Sequence, residues 1–354
     1  MAERPLKILV ATPELAPLVS TGGLADVAEA LPKTLRARGH DVRLAMPCYS
    51  TLPAEHRGQQ YCMCVADLGV KTEYGALRTS RVPESDIPLY LIEHENYFGR
   101  ERLYGDGAYE YWDNPERFSF FALAVLHGVA QTGWAPDVIH GHDWHCASIP
   151  AHLKTRLRGD PRWSGVPVLF TIHNLAHQGR YDAGRFPATG LDPGLFNPEC
   201  AEYHGDMNLL KAAIALSDML STVSPRYARE IQTLEYGAGL DGMLRMRSHD
   251  LVGIMNGVDY TRWHPANDTH IEANYSKDDL TGKAVCKRAL QAELDLPNSA
   301  APLFGMVSRL YWQKGVDLVI DAMDRLAAMD LQLVVLGSGD PQLEHQLGQA
   351  AQRH

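Results

Sequence analysis

The chain has 354 residues, of which 45% are hydrophobic and 21% are charged. This composition supplies enough apolar material for two packed cores and too few charges for a disordered chain, so we expect two domains. With 33 Lys and Arg against 43 Asp and Glu, the formal charge of -10 excludes a general affinity for nucleic acid or anionic lipid. Because no apolar run spans a membrane and the N-terminus has no secretory hydrophobic region, we expect a cytoplasmic protein.

Short apolar runs rich in β-branched residues alternate with helical patterns along the chain, which predicts a doubly wound α/β fold. The predicted strands are Lys7–Thr12, Val42–Met46, Leu89–Glu93, Val138–Gly141, Val166–Ile172, Met219–Val223, Leu251–Met255, Phe304–Val307 and Leu331–Leu336. Apolar residues spaced by three and four predict helices over residues 25–39, 118–132, 208–217 and 315–329. Residues 61–82 have the pattern of a hairpin, which predicts one antiparallel excursion.

A domain boundary is predicted near residue 250. A glycine-punctuated loop over residues 236–242 precedes this point, and an Asn-Gly turn at 256–257 follows it. We therefore predict a complete first domain over residues 1–249 and a partial second domain over residues 250–354.

The first predicted strand leads into a glycine pair, Gly22-Gly23, and then into a helix. Two glycines at this place let the backbone approach a ligand, and the dipole of the following helix favours an anion. A tight turn between the strand and the helix is the alternative explanation. The segment has neither a GxGxxG pattern nor a Walker lysine, and this absence favours the turn.

A cluster of polar side chains, His140-Gly-His142-Asp143-Trp144-His145, follows the strand that begins at Val138. It lies at a carboxyl end, where α/β sheets bind ligands. Three histidines so close together suggest zinc, but Trp144 separates Asp143 from His145, unlike the HxHxDH pattern of metallohydrolases. A polar ligand site is therefore preferred to a metal site, and structural histidines are the third interpretation.

A second polar pair, His173-Asn174, also follows a strand. A histidine there can act on a substrate hydroxyl or carbonyl, or it can form an ordinary loop hydrogen bond. Three strand ends of one domain, at residues 20–26, 140–145 and 173–179, then converge on one edge of the sheet, which predicts a pocket.

Two cations, Arg309 and Lys314, lie between a strand and a helix of the second predicted domain. Fixed positive charge beside a helix N-terminus suits a diphosphate, because it stabilises a leaving group that gains negative charge. A solvated cationic loop is equally consistent with these residues.

Taken in order, these segments resemble the bacterial glycogen and starch synthases, the ADP-glucose-dependent retaining enzymes of glycosyltransferase family 5. The matching motifs are Pro-Glu-Leu-Ala-Pro-Leu-Val-Ser-Thr-Gly-Gly-Leu-Ala-Asp-Val, His-Gly-His-Asp-Trp-His, Phe-Thr-Ile-His-Asn-Leu-Ala-His-Gln-Gly, Thr-Val-Ser-Pro-Arg-Tyr-Ala-Arg-Glu-Ile, Asn-Gly-Val-Asp and Val-Ser-Arg-Leu-Tyr-Trp-Gln-Lys-Gly. The resemblance implies a GT-B fold, with two Rossmann-like doubly wound domains facing a cleft. It also implies glucose transfer from ADP-glucose to the non-reducing end of glycogen or a maltooligosaccharide, without cofactor, metal, nucleic acid or membrane.

The resemblance further implies residue roles on the donor side. Gly22 and Gly23 would lie against the donor phosphates, and Arg309 and Lys314 would neutralise the departing diphosphate without a metal. His173 would lie at the transferred glucose, where its carbonyl and ring stabilise an oxocarbenium-like centre.

The remaining roles concern the sugars. Asn174, Asp143 and His145 would hold sugar hydroxyls, with Asn174 on the donor side. Glu14, Trp144 and Phe98 would belong to the acceptor side, where aromatic rings stack on glucose. The family attributes retention to attack from the leaving-group face, so no carboxylate nucleophile of the glycosidase kind is implied.

Two departures from the family pattern stand out. Ser20 occupies the donor-side position where the family usually has Lys, so one positive charge is lost. The family's second domain also continues past Leu336-Gly-Ser-Gly-Asp340 into a Glu-containing Pro-Cys-Gly loop that binds the donor glucose. We therefore expect a truncated chain of weak or no activity, whose second sheet has an open apolar edge.

Two other functions remain open at this point. One is a non-catalytic glucan-binding or regulatory protein derived from the synthase. The other is a metal hydrolase that uses His140, His142 and His145.

Overall fold

The computed structural model describes residues 4–106 and 109–354, which form one compact unit up to Gly257 and another from Val258 onward. The strands are β1 (Lys7–Ala11), β2 (Asp41–Pro47), β3 (Gln59–Asp67), β4 (Thr72–Arg81), β5 (Pro88–Glu93), β6 (Val138–His142), β7 (Val168–Ile172), β8 (Arg180–Asp182), β9 (Glu202–Tyr203), β10 (Asp206–Asn208), β11 (Met219–Thr222), β12 (Leu251–Gly253), β13 (Leu303–Val307) and β14 (Gln332–Leu336). The α-helices are α1 (Gly23–Ala37), α2 (Glu95–Phe98), α3 (Asn114–Gln131), α4 (Ser148–Lys154), α5 (Leu209–Leu216), α6 (Pro225–Glu230), α7 (Asp241–Met246), α8 (Thr281–Glu293), α9 (Val316–Asp321), α10 (Met323–Ala327) and α11 (Pro341–Arg353). Short 3₁₀ turns cover Ala54–His56, Trp144–Cys146, Ala183–Thr189, Pro193–Leu195 and Trp312–Lys314.

The first unit is built on a nine-stranded sheet in the described part of the chain, with the order β12-β11-β7-β6-β1-β2-β5-β4-β3. Pairing is parallel from β12 to β5. The predicted hairpin is confirmed, because β3 and β4 pair antiparallel and β4 continues antiparallel onto β5. Helices separate the other parallel strands along the chain, while the hairpin lies between β2 and β5, so the predicted α/β class is confirmed.

The core strands are apolar because residues on both of their faces are buried. In β1, all four residues from Ile8 to Ala11 are buried. Strand β7 begins at Val168, directly after Pro167, since proline has no N–H to give to a strand ladder. Helix α3 is buried around most of its circumference, as expected for a helix that is apolar on every side and packs against β3, β4 and α4.

Arg117 of α3 fixes the chain segment that leads to the candidate site. Its side chain is fully buried, and its guanidinium donates to the carbonyl oxygens of Tyr97 at 2.7 Å and Leu103 at 3.0 Å. Asn114 donates from its side-chain amide to the carbonyl oxygen of Tyr104 at 2.9 Å. A buried cation is tolerated where its donors are satisfied, and here they hold the residues around Tyr104 in place.

The boundary near residue 250 needs a correction. Strand β12 pairs in parallel with β11, so it lies at the edge of the first sheet, whereas the predicted division at 249/250 assigned it to the second domain. The compact units divide after Gly257. The Asn-Gly turn therefore follows the last strand of the first unit and does not follow the first strand of the second.

The second unit contains a parallel pair, β13 and β14, with α8, α9, α10 and α11. The helix predicted over residues 315–329 is divided at Ala322, where the Arg325 N–H bonds the Ala322 carbonyl in a tighter, 3₁₀-type turn. Apolar side chains of the two strands are exposed, with Phe304 at 55%, Val307 at 79% and Leu336 at 65%. Within the described residues, no helix is long and apolar enough to cross a membrane.

Candidate functional site

Three neighbouring strands bring the candidate site together. In the sheet order, β7, β6 and β1 are adjacent and parallel, so their carboxyl ends open onto the same edge. The loop after β1 carries Glu14, the end of β6 and the loop after it carry the 140–145 motif, and the loop after β7 carries the 173–179 motif. The predicted convergence of three strand ends is thus confirmed, at the place where α/β sheets bind ligands.

The loop after β1 is folded around the Glu14 carboxylate. Glu14 is buried and accepts hydrogen bonds from the Thr21 main-chain N–H, the Thr21 hydroxyl and the Tyr104 hydroxyl, each at 2.6 Å. These contacts organise the loop and give Glu14 a positioning role in this structure. They leave Ser20 exposed ahead of α1.

The glycine pair lies at the start of α1. Gly22 is the N-cap residue and Gly23 is the first helical residue, with open space where a Cβ atom would be placed on Gly23. Since the helix has 15 residues, its N-terminus carries the partial positive charge of a helix dipole. This end of α1 is therefore open to a close approach by an anionic group.

Asp143 links the loops after β6 and β7. Its backbone has φ 55° and ψ 174°, a region that is strained for residues other than glycine. Its carboxylate accepts the His173 main-chain N–H at 2.8 Å. Burial raises the pKa of Asp143 to about 7, and hydrogen bonds from the main-chain N–H groups of His173 and Asn174 oppose that rise.

His173 is held between this loop contact and the sheet. Its Nε2 lies 2.9 Å from Nδ1 of His142, and burial lowers the pKa of His173 to about 4. The imidazole is consequently neutral near pH 7. A neutral ring can hydrogen bond to a sugar without repelling positive charge that develops on it.

The expectation that Trp144 and Phe98 stack on glucose needs correction. Trp144 is only 3% exposed and stacks on His145, with ring centroids 4.1 Å apart, while its edge meets Phe118. Phe98 is 1% exposed and packs edge-on against Tyr49. Both aromatic rings are core residues in this structure, because neighbouring aromatic side chains cover the faces that a sugar would need.

The close packing around Trp144 extends to the loop after β7. Gly179 has φ 61°, and a Cβ atom there would lie 2.5 Å from the Trp144 ring. His145 is buried as well, and its pKa is held well below the usual range, chiefly by burial. Trp144 and His145 thus form a closely packed, uncharged floor beneath the site.

In the second unit, Arg309 and Lys314 lie between β13 and α9, and both side chains are exposed. The Arg309 guanidinium lies 5.7 Å from the ring centroid of Tyr311. Gly315 follows Lys314 in a left-handed conformation with φ 71°, which ends the turn and begins α9. Both cations are therefore accessible to a ligand from solvent.

The zinc interpretation is not supported by the arrangement of the histidines. Among residues 4–106 and 109–354, no three His, Cys, Asp or Glu side chains are grouped so that they could hold a metal ion. His140 Nε2 lies 2.6 Å from the Thr171 hydroxyl, and His142 Nδ1 is paired with His173. These ring nitrogens are engaged in hydrogen bonds within the protein.

The sequence prediction missed three contributors to the site. Tyr104, which bonds Glu14, belongs to an irregular segment without a hydrophobic period. Thr171 and Ser221 are polar residues inside apolar strands, and their hydroxyls lie 2.6 Å apart in the buried layer below His173. A hydroxyl side chain near the end of an otherwise apolar strand could have indicated these two residues, because buried polar groups need hydrogen-bond partners.

Comparisons with known proteins identify the family of this chain. Residues 7–246 match the family described as starch synthase catalytic domain. Glycogen synthase 2 of Geobacter metallireducens is 47% identical over 97% of this chain and 71% of its own length. The glycogen synthase of Anaeromyxobacter sp. strain Fw109-5 is 46% identical over 98% of this chain and 72% of its own length.

A solved structure is also similar. The catalytic domain of starch synthase IV from Arabidopsis thaliana, bound to ADP and acarbose, has a TM-score of 0.89 and 31% identity. The match covers 99% of this chain and 72% of that one. The likeness extends over both compact units and agrees with the fold that the motifs implied.

Proposed function

Because the chain belongs to the starch synthase catalytic-domain family of glycosyltransferases, we propose that it transfers glucose from ADP-glucose to the non-reducing end of an α-1,4-glucan, with retention. The observation that carries this proposal is the neutral His173, fixed by Asp143 and His142 at the carboxyl ends of the parallel strands. That site supplies uncharged hydrogen-bonding groups where a glucosyl group gains positive charge.

The donor in this proposal is a nucleoside diphosphate sugar. The related starch synthase IV was solved with ADP and acarbose, which supports ADP as a product and a saccharide as the other ligand. Arg309 and Lys314 are exposed cations on one short loop, and the N-terminus of α1 is open at Gly22 and Gly23. Each of these features favours a diphosphate.

The proposed reaction breaks the bond between the glucose anomeric carbon and the diphosphate. In the second unit, the exposed Arg309 and Lys314 carry positive charge that suits a departing diphosphate. In the first unit, the carbonyl and neutral ring of His173 suit a sugar that gains positive charge. The acceptor hydroxyl attacks from the same face and passes its proton to the leaving phosphate. The Asp143 carboxylate is engaged by main-chain N–H groups, so this route does not assign it the role of nucleophile.

The proposal is tested by incubating the purified gene product with ADP-glucose and maltotetraose, then separating the products by chain length. We expect maltopentaose and an equal amount of ADP, formed at a low rate. The double variant Arg309→Ala, Lys314→Ala should lose at least about a hundredfold in rate, because two charge contacts to the leaving group are removed. Lys277→Ala, which removes another exposed cation of the second unit, is the matched control and should retain the rate. Absence of both products in the unaltered protein would exclude the proposal.

A further inference from the structure

A buried layer of polar side chains lies directly below His173. His140 and His142 project to the same face of β6, since alternate residues of a strand share a face. In the strand register, His142 pairs with Thr171 of β7, and Thr171 pairs with Ser221 of β11. All four side chains are buried.

Hydrogen bonds connect most of this layer. The Thr171 hydroxyl lies 2.6 Å from both the Ser221 hydroxyl and Nε2 of His140. The His140 ring packs against the His142 ring with centroids 4.2 Å apart, and His142 Nδ1 lies 2.9 Å from His173 Nε2. The His140 ring therefore fixes the orientation of the His142 ring, and the His142 ring in turn contacts His173.

The Nε2 atom of His142 indicates which residue is the donor in the hydrogen bond between His142 Nδ1 and His173 Nε2. His142 Nε2 is buried and has no hydrogen-bond partner among the described residues. If His142 accepted the bond at Nδ1, its single hydrogen would be an N–H at Nε2, buried without an acceptor. Orphaned buried N–H groups are rare, whereas an unpaired acceptor is better tolerated. The favoured state places the hydrogen on Nδ1, where it is donated to His173.

We propose that His142 is a positioning residue that donates its Nδ1–H to His173 Nε2 and so holds His173 in the tautomer with its own hydrogen on Nδ1. His173 then offers an N–H donor to its ligand. Resting on the proposed function, that ligand group is a hydroxyl oxygen of the transferred glucose. The opposite tautomer would offer an acceptor there and would pair with a hydroxyl hydrogen of the sugar instead of a hydroxyl oxygen.

The tautomer can be measured without any activity. In protein labelled with ¹⁵N-histidine, long-range ¹H–¹⁵N correlation spectra distinguish a protonated from an unprotonated ring nitrogen. The signals of His173 are identified by their loss in His173→Gln. We expect His173 to be protonated at Nδ1 alone. Protonation at Nε2, or a mixture of tautomers, would overturn the proposal.

Two substitutions at His142 test whether this side chain acts as a hydrogen-bond donor or only fills space. His142→Gln keeps an amide N–H that can reach Nε2 of His173, whereas His142→Leu has none. In the transfer assay, we expect His142→Leu to lower kcat by about tenfold or more with little change in KM, and His142→Gln to recover most of that loss. His152→Leu is the matched control, since it removes another fully buried imidazole, one with no hydrogen-bond partner on either ring nitrogen among the described residues.

The outcomes are distinguishable. A His142→Leu variant with the original kcat and the original His173 tautomer would refute the positioning role, and so would a His142→Gln variant as impaired as His142→Leu. If His142→Leu does not fold, the spectrum of His142→Gln decides, because it should retain the Nδ1 tautomer of His173. A protein that transfers no glucose, but whose His173 is protonated at Nδ1, would refute the proposed function and leave the positioning role standing.

Discussion

The Asp143 carboxylate accepts the main-chain N–H of His173 at 2.8 Å, and so ties the end of β6 to the loop after β7. Two properties of Asp143 serve this contact. Its backbone lies at φ 55° and ψ 174°, a combination that only glycine adopts without strain, and its buried carboxylate accepts hydrogen bonds from main-chain N–H groups. The position of His173 therefore depends on the carboxylate of Asp143, a strained residue that follows a different strand.

This strain predicts the order of stability of two variants. Asp143→Ala and Asp143→Gly lose the same hydrogen bonds, but only glycine relieves the backbone strain. We expect Asp143→Gly to have a free energy of unfolding about 1–2 kcal/mol higher than that of Asp143→Ala, as measured by urea denaturation. Both variants should lose transfer activity, since neither holds His173. An alanine variant at least as stable as the glycine variant would show that the backbone at Asp143 is not strained.

The Glu14 carboxylate predicts a coupling with Tyr104. The two side chains are joined by a 2.6 Å hydrogen bond, in which a hydroxyl donates to a buried carboxylate. Glu14→Gln, Tyr104→Phe and the double variant form a double-mutant cycle. We expect a coupling of about 1–3 kcal/mol in the free energy of unfolding, because bonds to charged groups exceed neutral ones. Additive effects would mean that the negative charge of Glu14 adds nothing to the strength of this hydrogen bond.

Buried histidines predict a loss of stability in acid. Burial lowers the pKa of His140 and His152 to about 3 and that of His173 to about 4, whereas an unfolded histidine titrates near 6.5. Below pH 6.5 the unfolded chain binds protons that the folded chain does not, so stability falls as the pH decreases toward the folded pKa values. Asp143 acts oppositely: its raised pKa of about 7 adds stability as the pH falls from 7 toward 4.

The contribution of a single histidine can be isolated at His152. Between pH 7 and pH 5, a histidine with a folded pKa of about 3 accounts for about 2 kcal/mol of lost stability. In His152→Leu, the difference in the free energy of unfolding between these two pH values should be smaller by about that amount. Urea titrations of both proteins at pH 7 and pH 5 measure it. An unchanged pH dependence would mean that folding does not lower the pKa of His152.

Much of the fold followed from local patterns. Buried parallel strands are apolar throughout, so β1, β2, β5, β6 and β7 were identifiable from their residues. The convergence of the motifs also followed, because carboxyl ends of parallel strands open onto one edge. The edge strand β12 was assigned to the wrong domain, since only its pairing with β11 shows which sheet it completes.

The site was harder to predict than the fold. An aromatic side chain next to a motif can face a ligand or the core, and the sequence around Trp144 and Phe98 does not distinguish the two; contacts with Phe118 and Tyr49 do. The role of His142 was equally hidden, because its importance arises from a contact 31 residues away in the chain. Long-range contacts of this kind decide which polar residues hold a site together.

The proposed reaction is tested most directly by NMR of the products formed from ADP-glucose, ¹³C-labelled in the sugar, and unlabelled maltotetraose. One spectrum reports the donor, the acceptor end and the stereochemistry together. We predict a single labelled glucose joined by an α-1,4 bond at the non-reducing end, with one ADP released for each bond formed. A β-linked product, labelled free glucose alone, or unchanged ADP-glucose would contradict the account.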